Sequence, residues 1–173
     1  ATGCGGGMYN DGSSPTLTNV TFIGNTTTTY GGGMSNWNNS TPSLTNVTFS
    51  ANTANTGGGI SNNNSSSPTV INSILWGNVP DQISGSATVN YSDVQGGYAG
   101  IGNTNVDPLL GSLADNGGLT HTLALGEGSP AIDAADTNSC PTLDQRYYAR
   151  PIDGDGDGTA SCDMGAYEYD SDR

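Results

Sequence analysis

Three glycine runs divide the first part of this chain at a constant interval. Gly5–Gly7, Gly31–Gly33 and Gly57–Gly59 are each followed by an apolar residue, and the runs repeat with a period of 26 residues. A fixed period of this length is typical of a repeat protein, in which a unit buries its apolar face only by stacking on its neighbours. The repeat therefore predicts a solenoid.

The stretch that follows each glycine run predicts a pair of short strands. Between Pro15 and Phe22 the chain is rich in β-branched residues, and Pro and Gly bound the stretch. Its apolar residues do not alternate strictly, which fits two strands joined by a bend at Asn19, a residue type that tolerates bend conformations. We therefore predict an all-β fold, a right-handed parallel β-helix over residues 1–100. A β-sandwich needs no constant period, and the Gly, Asn, Thr and Pro content disfavours helices.

The repeat register predicts which residues lie above one another, about 4.8 Å apart, when the coils stack. The predicted core stacks are Phe22/Phe49/Leu75 and Met8/Met34/Ile60. Two ladders of turn asparagines are predicted, Asn19/Asn46/Asn72 and Asn25/Asn52/Asn78. A shorter fourth coil follows, and the period is lost near residue 100. Residues 101–173 are predicted to form a loop-rich capping segment packed on the last coil.

The charge of the chain excludes several classes of partner. The net charge is −13, and the basic side chains are Arg146, Arg150 and Arg173. Phosphate contacts need Lys and Arg, so the composition excludes nucleic acid and disfavours an anionic membrane surface. No apolar run is long enough to span a bilayer. The chain starts within a repeat phrase, so we expect either upstream coils or a second copy to stack on the first coil.

Phrases in both parts of the chain resemble bacterial surface proteins. Gly58–Ile60, Phe22–Asn25 and Phe49–Asn52 resemble the repeats of polymorphic outer-membrane proteins. The C-terminal part resembles the choice-of-anchor Q domain in an ordered set of phrases, which are Leu113–Gly118, Gly128–Asp133, Asp144–Arg146, Arg150–Pro151 and Asp163–Glu168. The resemblance implies a secreted, surface-displayed β-helix, usually without known activity.

An acidic loop in the C-terminal part predicts a calcium site. Asp153–Gly158 alternates Asp with Gly, which brings several carboxylates around one hard cation, as in the first half of an EF-hand loop. The twelfth position is Met164 instead of the Glu of that motif. We predict a structural Ca²⁺ whose ligands are Asp153, Asp155, Asp157 and Asp163, with Glu168 as a further candidate. The alternative is a solvated acidic turn.

Two cysteines flank the acidic loop. In an extracellular protein, Cys140 and Cys162 predict a disulfide, which stabilises by about 3 kcal/mol in the chain-entropy model. The alternatives are two free thiols or a pairing with Cys4. Arg146 and Arg150 lie between them and are predicted to form structural ion pairs with carboxylates such as Asp144, Asp163 or Glu168. The alternative is a catalytic Arg, as some β-helix polysaccharide lyases use.

The sequence thus predicts a non-enzymatic, extracellular β-solenoid that serves as a structural or adhesive element of a bacterial cell surface. Its expected partners are copies of itself stacked head to tail, or upstream coils, and surface glycans. A polysaccharide-active β-helix enzyme is the first alternative, although the repeats contain few acids. Ice binding is the second, through the rows Thr18/Thr45 and Thr21/Thr48.

Overall fold

The computed structural model describes residues 5–172, and most of its regular structure is short strands. In chain order the strands are β1 (Met8–Asp11), β2 (Thr16–Thr18), β3 (Thr21–Ile23), β4 (Met34–Trp37), β5 (Ser43–Thr45), β6 (Thr48–Ser50), β7 (Ile60–Asn62), β8 (Thr69–Ile71), β9 (Ile74–Trp76), β10 (Ile83–Ser84), β11 (Thr88–Asn90), β12 (Asp93–Val94), β13 (Leu110–Ala114) and β14 (Thr122–Leu125). A 3₁₀ turn spans Thr137–Ser139.

Strands β1 to β12 form three parallel sheets, so the repeat builds a parallel β-solenoid. Each coil contributes one strand to each sheet: coil 1 is β1–β3, coil 2 is β4–β6, coil 3 is β7–β9 and coil 4 is β10–β12. Sheet 1 contains β1, β4, β7 and β10; sheet 2 contains β2, β5, β8 and β11; sheet 3 contains β3, β6, β9 and β12. The prediction of parallel stacked coils is confirmed.

The core lies inside the coils and has the predicted stacks. Phe22 pairs in register with Phe49, which pairs with Leu75. The two phenyl rings are stacked with their centroids 4.7 Å apart and their planes within 5°. Phe49 and Leu75 are fully buried, and each such side chain contributes about 1.5–3 kcal/mol through removal of apolar surface from water.

The turns between the sheets explain the recurring Asn and Gly. Asn19, Asn46 and Asn72 have φ of 56°, 52° and 53°, which confirms the predicted bend. Glycine is required at Gly33 for a different reason. A Cβ there would lie 2.6 Å from the Phe49 ring, so only glycine lets the backbone pass so close to the core.

A short segment covers the end of the solenoid at coil 4. Thr104 forms a parallel bridge with Asp93, and its N–H donates to the Ser92 carbonyl at 3.0 Å. Tyr98 packs against the main core from the same segment. Residues 96–106 therefore cover the last coil, and we call them the end cap.

The rest of the C-terminal part lies in a different place from the prediction. Residues 107–172 run along the flank of the solenoid, at the corner between sheets 2 and 3, and contact coils 1 to 3. Asn19 of coil 1 donates to the Leu143 carbonyl at 2.6 Å, and Gly165 N–H donates to the Asn72 carbonyl of coil 3 at 2.8 Å. We call residues 107–172 the flank segment. It contains the antiparallel β13–β14 hairpin and a second apolar cluster.

Outward-facing residues of sheet 3 provide the docking row for the flank segment. Thr21, Thr48 and Ile74 are register partners on β3, β6 and β9. Thr21 donates to Gln145 Oε1 at 2.6 Å, and Ala166 N–H donates to the Thr48 hydroxyl at 3.0 Å. The Thr21/Thr48 row is therefore occupied by protein contacts, whereas the sequence offered it as part of an ice-binding array.

Candidate functional site

One predicted asparagine ladder lies inside the solenoid. Asn25 Nδ2 donates to Asn52 Oδ1 at 2.9 Å, and Asn52 Nδ2 donates to Asn78 Oδ1 at 2.8 Å. Asn78 ends the ladder by donating to Gln82 Oε1 at 2.6 Å. Because each amide both donates and accepts, the ladder satisfies polar groups that burial would otherwise leave unpaired.

A further asparagine ladder, along sheet 1, was not predicted from the sequence. Asn10 donates to Asn36 Oδ1, and Asn36 donates to Asn62 Oδ1, both at 2.8 Å, along sheet 1. The sequence contains a signal for this ladder, because these asparagines follow Met8, Met34 and Ile60 by two residues in coils 1 to 3. Their side chains point inward beside an apolar stack. A hydrophobic pattern predicts apolar residues at such inward positions, so it does not predict asparagines there.

The other predicted ladder has a different set of partners. Asn46 Nδ2 donates to the carbonyls of Asp163 at 2.8 Å and Gly165 at 3.1 Å. Asn72 donates to the Asp136 carbonyl and accepts from its N–H, and contacts Asn46 Oδ1 only at 3.5 Å. These corner asparagines therefore dock the flank segment on the coils and bond weakly to one another.

Arg146 is held at the centre of the flank segment. Its guanidinium pairs with Asp144 at 2.7 Å, and both side chains are almost completely buried. Nη2 also donates to the Glu168 carbonyl at 2.5 Å. The guanidinium carbon lies 3.5 Å from the Tyr167 ring centroid and 4.4 Å from that of Tyr148. Stacking between two rings is a role that suits Arg and not Lys.

Arg150 forms a second buried ion pair. Its Nη1 lies 2.8 Å from Glu168 Oε2, and both side chains are fully buried. The same guanidinium donates to the carbonyls of Asp163 and Gly165, which are the acceptors used by Asn46. Arg150 therefore fixes the two flank-segment carbonyls to which Asn46 of coil 2 also donates.

The two acids beside Arg150 are perturbed by burial. Burial, reinforced by the nearby Glu168 charge, raises the pKa of Asp163. Burial also raises the pKa of Glu168, although the Arg150 charge opposes the shift. Asp163 accepts from the N–H groups of Asp133 and Tyr169, and Glu168 accepts from those of Ile152 and Asp163. Their carboxylates are thus engaged by protein donors.

The acidic loop meets a carboxylate that the sequence reasoning missed. Oxygens of Asp133, Asp153 and Asp155 lie within 4.8 Å of one another, an arrangement that could hold a metal ion. Asp157, a predicted ligand, instead accepts from Thr159 N–H at 2.8 Å outside this group. Asp163, the other predicted ligand, is buried beside Arg150. Asp133 lies 20 residues before Asp153, so a search for a contiguous loop motif does not find it.

The chemistry of the three carboxylates fits a hard divalent cation. The Asp133 carboxylate accepts from the N–H groups of Gly154, Asp155 and Ser161, which fixes its orientation. Each carboxylate oxygen has two lone pairs, so these bonds leave acceptor capacity for a cation. A cleft of about 570 Å³ lies beside the group and is lined in part by Glu127, Asp155 and Tyr169.

A disulfide closes the segment that carries Arg146, Arg150 and the acidic loop. Cys140 and Cys162 are bonded, with Cα atoms 6.2 Å apart, so the predicted pairing is present. Cys162 is fully buried, and its carbonyl accepts from Ala135 N–H at 2.9 Å. Cys4, the predicted alternative partner, lies outside the described residues.

Comparison of the chain with family models, with curated proteins and with solved structures gives no match. Among residues 5–172, no helix has the length and apolar character needed to cross a membrane.

Proposed function

We propose that this chain is a secreted structural or adhesive element of a bacterial surface, built as a right-handed parallel β-helix and without a catalytic role. The observation that carries the proposal is the docking of the flank segment along coils 1 to 3. In a solenoid each coil contacts only its neighbours, so coils can unfold from an end. A segment that bonds to Asn19, Asn46 and Asn72 links coils that are distant along the chain.

The chemistry of the flank segment supports a bracing role. Its two buried Arg side chains form ion pairs with Asp144 and Glu168, and its disulfide closes the same segment. Disulfides persist in oxidising compartments, which favours a location outside the cytosol. An extended, braced solenoid suits a display element that must stay folded in a protease-rich environment.

Cell-surface labelling tests the location. Antibody raised against the purified chain is expected to label intact cells of the source bacterium, and external protease is expected to remove the label. Labelling that appears only after permeabilisation would contradict a surface role.

A structural calcium ion is part of the proposal. Asp133, Asp153 and Asp155 are the proposed ligands, because their oxygens converge and backbone donors orient them. The ion would tie residue 133 to the acidic loop, next to the disulfide at Cys162. Its effect would be on stability, since close carboxylates repel one another until a cation joins them.

End-to-end stacking is the proposed mode of assembly. Strands β1, β2 and β3 are the outermost strands of their sheets within the described residues, and a free strand edge is a template for pairing. Exposed Leu119 and Tyr147 of the flank segment line a cleft with Val20 and Thr21 of coil 1. Apolar surface at this end favours a further coil there, contributed by another copy.

A further inference from the structure

The outer face of sheet 1 carries a group of aromatic side chains. Tyr9 on β1 is 47% exposed, and Tyr30, just before β4, is 37% exposed. Trp37 at the end of β4 is half-buried, and its ring packs edge-to-face on Tyr30 with the centroids 5.6 Å apart. Asn10 points inward to its ladder, so strand alternation places its neighbour Tyr9 outside. We call Tyr9, Tyr30 and Trp37 the aromatic face.

The Trp37 indole is held in a fixed orientation along its strand. Its Nε1 donates to Ser35 Oγ at 3.1 Å, so the ring folds back over a serine that is itself fully buried. Ser35 is the register partner of Tyr9 on the neighbouring strand, which places the tyrosine beside the indole. Because Nε1–H is the only polar group of the indole, what Trp37 still offers to a ligand is ring surface.

Exposed amides border the aromatic face. Asn38 donates to Asp11 Oδ1 at 2.6 Å, and Asn64 donates to Asn38 Oδ1 at 3.1 Å, so a surface amide row runs beside Trp37. Asn63, which is part-buried just after β7, donates to Ser61 Oγ at 3.0 Å. Aromatic rings flanked by amides form a surface that is apolar in its centre and rich in hydrogen-bonding groups at its rim.

We propose that the aromatic face binds an uncharged polysaccharide. This inference rests on the proposed adhesive role and assigns a site and a ligand class to it. A sugar ring has an apolar face of C–H groups and an edge of hydroxyls; aromatic rings bury the first, and amides pair with the second. Tyr9 on β1 and Trp37 on β4 stand on neighbouring strands about 4.8 Å apart, so both rings can contact the same stretch of a sugar chain.

The charge of the molecule decides between uncharged and anionic polymers. The net charge is −13, and within residues 5–172 both Arg146 and Arg150 are buried in the flank segment. An anionic polymer would meet Asp11 at the rim without a cation to offset it, and the field of the whole chain would repel it. An uncharged glycan avoids both costs.

Affinity gel electrophoresis tests the proposal on the intact chain. Dextran, yeast mannan and hydroxyethylcellulose serve as uncharged probes, and polygalacturonate serves as the anionic one. At least one uncharged polymer is expected to retard the protein, and polygalacturonate is not. Trp37→Ala and Tyr9→Ala are each expected to weaken the interaction by about tenfold. Leu113→Ala, which removes an exposed apolar side chain from β13 of the flank segment, is the matched control and should bind normally.

A second measurement does not depend on removing an aromatic ring from the face. Trp37 and Trp76 are the two tryptophans, so Trp76→Phe leaves Trp37 as the sole indole. The retarding polymer is expected to produce a saturable change in its fluorescence. Near-unchanged thermal transitions of the Ala variants would show that they fold.

Each remaining outcome contradicts the proposal. No retardation by any uncharged polymer, or equal retardation of both Ala variants and the parent, would overturn it. A concentration-dependent dimer that Trp37→Ala abolishes would instead identify the face as a contact between copies. These results are independent of cell-surface labelling, so the aromatic face can fail while the surface location stands.

Discussion

At the scale of single residues, the corner asparagines form the bend between two strands and also bond to the flank segment through their side-chain amides. Asn46 adopts φ of 52°, which few side chains tolerate, and its amide reaches two carbonyls of the flank segment. Glycine could make the same bend without the amide. The bend and the docking bonds can therefore be separated by mutation.

Asn46→Gly keeps the bend and deletes both docking bonds. We expect it to lower the free energy of unfolding by about 1–2 kcal/mol, since Arg150 still satisfies both carbonyls and only the net value of the lost bonds is at stake. Asn39→Gly is the matched control, because Asn39 is exposed with φ of 62° and its backbone N–H bond to the Asn64 carbonyl survives in glycine, and it should cost less by about 1 kcal/mol. Chemical denaturation measures both; equal losses would show that the docking bonds contribute nothing.

Single substitutions in the acidic loop test which carboxylates bind calcium. If Asp133, Asp153 and Asp155 are the ligands, Ca²⁺ should raise the melting temperature of the parent and of Asp157→Asn but not of Asp153→Asn. Calorimetry with chelator and with added Ca²⁺ makes the comparison. Loss of the calcium effect in Asp157→Asn would restore the contiguous loop as the site, and an unchanged parent transition would remove the structural ion.

At the scale of elements, the end cap depends on a buried acid. Asp93 on β12 is fully buried, and burial raises its pKa to about 6, although the Val106 N–H that donates to Oδ1 at 3.3 Å opposes the shift. The folded state therefore holds this proton more tightly than the unfolded chain. Its stabilising contribution is complete below the unfolded pKa of about 4 and is lost as the pH rises through about 6.

Asp93→Asn mimics the protonated acid at every pH. We expect parent and variant to have similar free energies of unfolding near pH 4, and the variant to be the more stable above pH 6, with a difference that grows by up to about 1.4 kcal/mol per pH unit in between. Denaturation curves across this range provide the measurement. A difference that does not depend on pH would contradict the assignment to Asp93.

At the scale of the whole molecule, the proposed end-to-end stacking on coil 1 predicts how the chain assembles. A copy docked head to tail makes a contact that does not close, so it propagates as a filament. The parent chain is expected to form concentration-dependent end-to-end contacts in sedimentation and electron microscopy. Thr16→Lys should block them, because an edge lysine disfavours strand pairing. Thr69→Lys, in register on the inner strand β8, is the control. Monodisperse particles of the parent at all concentrations would exclude the filament.

The period of the glycine runs was enough to determine the stacked coils, their core stacks and the bends. A repeat dictates this much because identical units can bury their apolar residues only in register, so Phe22, Phe49 and Leu75 must align. The disulfide also followed from the sequence, since few cysteines are available and two of them flank one loop.

Tertiary structure alone decided where the C-terminal residues lie and which side chains they meet. The Thr21/Thr48 row has the pattern of a solvent-facing surface, and only the folded chain shows Gln145 and Ala166 bonded to it. Asp133 joins the acidic loop because the chain folds back on itself. Such hydrogen bonds and ion pairs join segments that share no repeat period. They form only when the chain folds back on itself, and a local sequence pattern does not predict that path.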